Sequence, residues 1–140
     1  MYQNGAFRAL DRQESLRLLA KAPVGRVVYT RQALPAVLPV NFSLDTDTSV
    51  LLCTSPDSDL VRAIDGGVVA FEADEFHAAT RSGWSVVVTG RAAVVTDQAE
   101  HERLSRDGPT SWMPLPGAVF VRIESEIVTG RELDGARGYP

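Results

Sequence analysis

The run Ser82–Thr96 (SGWSVVVTGRAAVVT) reads as one extended strand far longer than the ~5–6 residues that are usual, and it constrains the fold more than any other segment. Side chains on a strand alternate between faces. Trp84, Val86, Val88, Ala92 and Val94 therefore share one face, while Val87, Ala93 and Val95 lie on the other with Ser85, Thr89 and Arg91. Gly90 allows a bend near the middle. With apolar residues on both sides, the strand is expected to be covered twice, by the core and by something else.

The rest of the chain supplies partners for it. Residues 1–10 read as a loosely held arm. Asp11 and Glu14 form a capping box, Leu16, Leu19 and Ala20 fall at helical spacing, and Pro23 stops a helix over 11–21. Val24–Arg31, Pro35–Leu44 and Ser49–Thr54 read as strands, the last two paired, and Gly25 suggests a kink or a close approach. Ser58–Asp65 is a short helix closed by Gly66-Gly67, and Val68–Asp74 a strand. Asp97 and Glu100 open a helix through Arg106, and the loop Gly108–Gly117 carries Trp112 and Met113 outward. Ala118–Leu133 finishes the sheet and Ala136–Pro140 is a tail. Short strands with hairpin turns predict a mainly β fold with flanking helices, a six-stranded antiparallel sheet that closes into a barrel. The length of 140 residues suits one domain, with a core over about residues 10–133.

Composition narrows the function. A net charge of −4 and a sequence pI near 5.1 argue against nucleic-acid binding, which favours a basic stripe. No apolar run reaches the ~20 residues of a spanning helix, and the first ten residues carry no signal-peptide pattern. One cysteine, Cys53, permits no internal disulfide, which suits the cytoplasm. Lys21 is the sole lysine among 14 basic residues, so any bound phosphate would be met by arginine, hydroxyls or backbone.

Such a phosphate site is suggested by Pro35–Asp65, where the second strand ends on Thr54-Ser55-Pro56 just before a helix start. Hydroxyls and free amide groups there attract an anion. The same residues would equally serve to end a strand and begin a turn. Asn41, amid apolar neighbours, is an amide in need of partners, which could be a ligand or the backbone. Cys53 reads as a buried thiol. His77 and His101 have no spacing that makes a metal site, and the acidic cluster Glu72–Glu75 reads as a solvated strand end.

Taken in order, PVGRVVY at 23–29, LPVNFSL at 38–44, LLCTSPDSDLVRAI at 51–64, VVAFEADEF at 68–76, GWSVVVTGRAAVV at 83–95 and VRIESEIVTGREL at 121–133 resemble the pyridoxamine 5′-phosphate oxidase-like family of FMN-binding split β-barrels. The resemblance implies a homodimer holding two FMN molecules between subunits. It assigns Pro39, Val40 and Asn41 to the flavin ring, and Thr54, Ser55 and Ser58 to its phosphate. Trp84 and Ser85 of a second copy would form a wall over the ring, although Trp84 also suits interface packing. Where the family usually carries a lysine or arginine, this chain has Asp57-Ser58-Asp59. Arg62 on the same helical face, expected at the phosphate with Thr54 and Ser58, or else Arg26, is then needed to offset two carboxylates.

The implied function is a flavin-dependent oxidoreductase acting on a small molecule, with the redox chemistry in the cofactor and no side chain marked as catalytic. Oxidation of pyridoxamine phosphate itself is not expected, because no arginine/histidine set for that substrate is evident. A deazaflavin could replace FMN. The alternative is a non-catalytic barrel dimer that binds flavin, deazaflavin or haem, or has lost its cofactor. Haem would need an axial ligand from His77, His101, Cys53, a methionine or a tyrosine.

Overall fold

In the computed structural model, which describes residues 2–3, 7–64 and 66–135, capping and strand pairing together give an antiparallel barrel. The elements in order are β1 (Tyr2–Gln3), β2 (Phe7–Leu10), α1 (Arg12–Leu19), β3 (Val24–Arg31), β4 (Leu34–Leu44), β5 (Val50–Thr54), α2 (Asp59–Ala63), β6 (Val68–His77), β7 (Ser82–Val94), α3 (Gln98–Asp107), β8 (Val119–Ile123) and β9 (Ile127–Leu133). Strands β7-β6-β3-β4-β5-β8 pair in that order, and β8 returns to β7 to close a six-stranded ring. β9, β2 and β1 extend from the outer edge of β7.

The three helices among the described residues begin where local chemistry places them. Asp11 and Glu14 form a complete capping box on α1. Asp97 caps α3 by accepting from the Glu100 amide at 2.9 Å. Ser58 caps α2 by accepting from the Val61 amide at 3.2 Å. Two segments differ from expectation. Phe7–Leu10, read as part of an arm, pairs with β9 from Phe7↔Leu133 to Leu10↔Gly130. The final stretch is two strands, because the chain turns at Glu124–Glu126 and changes neighbours. The tail at 136–140 lies outside the described residues.

Gly90 explains the length of β7. Residues 83–89 pair with β9 and residues 92–94 with β8, on the same edge. Glu124 crosses at the gap, and its carbonyl oxygen fills the place that a Cβ on Gly90 would take. The Glu124 amide donates to Arg91 O at 2.9 Å, fastening the crossing.

Trp84, Val86, Val88 and Ala92 face the barrel interior, where they join Phe71, Val27, Leu52 and Ile123. Phe42 and Phe71 meet edge to face at 4.7 Å, and the Phe71 ring lies over Gly25, leaving no space there for a Cβ. α1 buries Leu19 against this core. β5 is covered on both faces by the chain itself: Val50 and Leu52 point into the barrel, whereas Leu51 and Cys53 pack with Leu104 of α3 and with Phe120. Val95 belongs to that second cluster, so α3 supplies the extra cover at the far end of β7.

Asp45 joins the β4–β5 hairpin to α3 and β8. Arg103 Nη2 and Arg122 Nη1 each lie 2.9 Å from Asp45 Oδ2, and both guanidiniums also pair with Glu100. Burial opposes ionisation of Asp45. Bonds from Arg103, the Thr46 amide and Arg122 outweigh it and hold the carboxyl at about 2.

Candidate functional site

β4 and β5 start as a ladder and then part. Their register runs Leu44↔Val50, Ser43↔Leu51 and Phe42↔Leu52, and pairing stops there. From Asn41 back to Leu34, β4 pairs with β3 on one edge only, while Cys53 and Thr54 of β5 pair with β8. Backbone donors and acceptors of residues 38–41 that a neighbouring strand would have used therefore face the gap. A cavity of about 500 Å³ occupies it, within the usual size range for small-molecule sites.

Pro39, Val40 and Asn41 line the strand side of this cavity, together with Val24 and Leu38. Thr54, Ser55 and Ser58 line the opposite end, where β5 turns into α2. The turn is ordered by its own hydroxyls: Ser55 Oγ accepts from the Asp57 amide at 3.3 Å, and Ser58 Oγ caps the helix. Six of the residues singled out in the sequence thus meet at one place. The remaining wall is Ser111, Trp112, Met113 and Leu115, from the loop expected only to project outward. Trp112 and Met113 are 74% and 69% exposed while lining the cavity.

Asn41 has backbone partners. Its Nδ2 donates to Pro23 O at 3.0 Å and its Oδ1 accepts from the Trp112 amide at 2.8 Å. The side chain holds the 108–117 loop against β4, and no sequence signal pointed to that long-range tie.

Arg62 sits apart from Thr54 and Ser58. It lines a neighbouring hollow of about 310 Å³ with Arg31 and Asp59. Arg62 Nη2 lies 2.9 Å from Asp59 Oδ1, and Arg31 Nη1 lies 3.2 Å from Asp59 Oδ2. Bonding to Arg62 holds the Asp59 carboxyl below its ordinary range. Asp59 is thus neutralised by two arginines, and Asp57 faces solvent. Arg26, the other candidate counter-charge, pairs with Glu72 and Asp74 on the outer face at 3.5 and 3.9 Å.

Trp84 is buried in the interior of its own chain, 9% exposed, so its burial requires no second copy. It also borders a third hollow of about 340 Å³ with His77 and Glu132, and the half-buried Ser85 pairs with Arg131. Neither residue lies in the β4–β5 cavity of its own chain. His77 Nε2 is 3.5 Å from Glu75 Oε1, and His101 packs edge to face on Phe120, so both histidines are outside that cavity.

The cavity walls carry one titratable side chain, Cys53, and burial raises its pKa and keeps it a thiol. Hydroxyls and a free strand edge suit binding and orientation of a ligand. The donor set fits a ligand with a flat polar-edged ring at β4 and an oxygen-rich group at the Thr54–Ser58 turn.

Comparison with known proteins agrees with the fold. The sequence matches the pyridoxamine 5′-phosphate oxidase family over residues 11–132. It is 46% identical over 135 residues to an uncharacterized protein of Mycobacterium tuberculosis, covering 86% of this chain and 82% of that one. The structure is similar to the FAD binding protein from Mycobacterium smegmatis, with a TM-score of 0.71 and 30% identity over 91% of this chain and 99% of that chain. It is also similar to a FAD-binding protein from Mesorhizobium loti, with a TM-score of 0.75 and 26% identity over 91% and 99%. The chain belongs to the pyridoxamine 5′-phosphate oxidase family.

Proposed function

We propose that the protein binds a flavin nucleotide in the β4–β5 cavity and serves as a flavin-dependent oxidoreductase for a small molecule. The observation that carries this reading is the parting of β4 from β5, which opens a strand edge beside an apolar cavity that ends on three hydroxyl residues. Backbone groups of Pro39–Asn41 meet the polar edge of the ring, and Thr54, Ser55 and Ser58 meet the phosphate. Trp112 and Met113 supply an apolar side. Asn41 acts through the loop it holds.

When bound, the flavin supplies hydride or electron transfer. The chain's own part is to bind, orient and keep water from the ring. The structural relatives described as FAD-binding support a flavin in preference to haem, as does the position of both histidines outside the cavity.

The functional unit on this reading is a homodimer. Its contact is the outer face of β3, β4, β6 and β7, where Val28, Val37, Ala70 and Val87 form an apolar band. Val37 is 60% exposed on that face. The test is the absorbance spectrum of the purified protein, followed by titration with flavin. Flavin bands and saturable quenching of flavin fluorescence are expected. A Soret band, a deazaflavin band, or no binding at any accessible concentration would refute a flavin as the ligand.

A further inference from the structure

We propose that the outer sheet face is a proton-dependent contact between two copies of the chain, which associate with Glu72 uncharged and separate as it ionises. This rests on the homodimer reading above and specifies how that contact is controlled; it does not depend on the flavin.

Strand register fixes what the contact covers. Val37, Val28, Ala70 and Thr89 stand in one row across β4, β3, β6 and β7, and the row runs on to Ile127 of β9. Pro39, Arg26, Glu72 and Val87 form the neighbouring row on the same face. Glu72 therefore lies two residues from Ala70 and directly across from Val87. Adjacent strands are about 4.8 Å apart, so a surface that covers Val28, Ala70 and Val87 covers Glu72 as well.

The charges at that place do not balance. Arg26 Nη1 is 3.5 Å from Glu72 and 3.9 Å from Asp74, and the two acidic side chains are only 28% and 33% exposed. Beside Glu72, β7 brings Ser85, Val87 and Thr89, which carry no charge. Among the described residues, Arg26 of β3 and Asp74 of its own strand are thus the charged groups that face it. Elsewhere on this face, Arg131 stacks over the Phe7 ring and Arg91 is in register with Val68, four residues from Glu72.

With both carboxylates ionised, one arginine leaves a net negative charge on each copy. A two-fold contact brings the same patch of both copies out of water. An uncompensated carboxylate is costly there, and the group takes up a proton instead. Burial, and then Asp74, already push Glu72 up to about 7 in the single chain, against the pull of Arg26. A second copy removes more water and pushes in the same direction. The dimer therefore holds a proton that separated chains release as pH rises past about 7, and association weakens over that range.

Sedimentation velocity over a series of protein concentrations, at pH 6 and pH 8, tests this on the parent and on Glu72→Gln. The dissociation constant of the parent dimer should rise about tenfold or more from pH 6 to pH 8. Glu72→Gln, which keeps the shape of the protonated carboxyl, should dimerise at pH 8 as tightly as the parent does at pH 6. A dimer equally tight at both pH values would overturn the proposal and leave the homodimer standing. Association that tightens at pH 8 would overturn it too, as would a pH dependence that Glu72→Gln retains, since the titrating group would then lie elsewhere. If the parent is monomeric at both pH values, the homodimer reading fails first and this inference with it.

Discussion

Asn41 Oδ1 accepts a hydrogen bond from the backbone amide of Trp112 at 2.8 Å, joining a barrel strand to a loop 71 residues further along the chain. Asn41 Nδ2, bonded to Pro23 O, fixes the orientation from which that acceptor works. The bond makes the 108–117 loop a wall of the cavity. Asn41→Ala should lower stability by ~1 kcal/mol or somewhat more, since a carbonyl and an amide lose their partner together. Flavin affinity should fall about tenfold, because ordering the loop would then have to accompany binding. Thermal unfolding and flavin-fluorescence titration check the two effects separately.

The Asp45 cluster predicts an acid limb. The carboxyl ionises at about 2 in the folded chain against an ordinary 3.8. Its stabilisation, ~2 kcal/mol, is complete above pH ~4 and is lost as pH falls toward ~2. Asp45→Asn should reduce stability at neutral pH by about that amount and flatten this limb. Urea denaturation at a series of pH values measures both; an unchanged acid limb would disprove the assignment.

Glu72 works in the opposite direction. Burial, and then the neighbouring Asp74 carboxylate, push it up to about 7 against the pull of Arg26. Between the ordinary 4.5 and about 7 the folded chain holds a proton that the unfolded chain has released. Stability therefore falls as pH rises through that window. Glu72→Gln should remove the dependence and exceed the parent in stability at pH 8 by roughly 1–3 kcal/mol. Melting temperatures at pH 5 and pH 8 give the comparison.

The proposed dimer surface has its own test. Val37 is 60% exposed on β4, so a lysine there leaves the single chain folded. Val37→Lys should convert a dimer to monomers, as read by sedimentation velocity, and remove the dependence of the melting temperature on protein concentration. A parent protein that is monomeric at micromolar concentration removes the premise.

Much of the architecture was legible because its determinants are local. Asp11 and Asp97 declare helix starts within three residues, and the alternation of β7 gives the direction of its core face. The division of β8 from β9 was not legible, because Ile123, Ser125 and Ile127 continue the alternation through the turn. Only the encounter of Glu124 with Gly90, far away in sequence, reveals it. Phe7–Leu10 offered no strong pattern and becomes a strand by joining β9.

The site divides in the same way. Thr54, Ser55 and Ser58 could be picked out as a hydroxyl turn beside a helix start. The partners of Asn41, the share of the cavity wall made by Trp112, and the pairing of Arg31 with Asp59 depend on chain crossings that composition and spacing do not encode.

The crossing at Gly90 also governs where the chain tolerates added length. β7 is gripped by β6 on one edge and by β9 and then β8 on the other, with the Glu124 carbonyl occupying the place of a side chain between them. An extra residue near 90 would shift one of those registers by one and turn either Val86 and Val88 or Ala92 out of the interior. The tip of the β6–β7 hairpin, near Thr80, carries no such restraint from β8. Loop grafts, tags and natural insertions should therefore collect at that tip and be absent from the crossing, making the hairpin end the place where new specificity can be added without reopening the barrel.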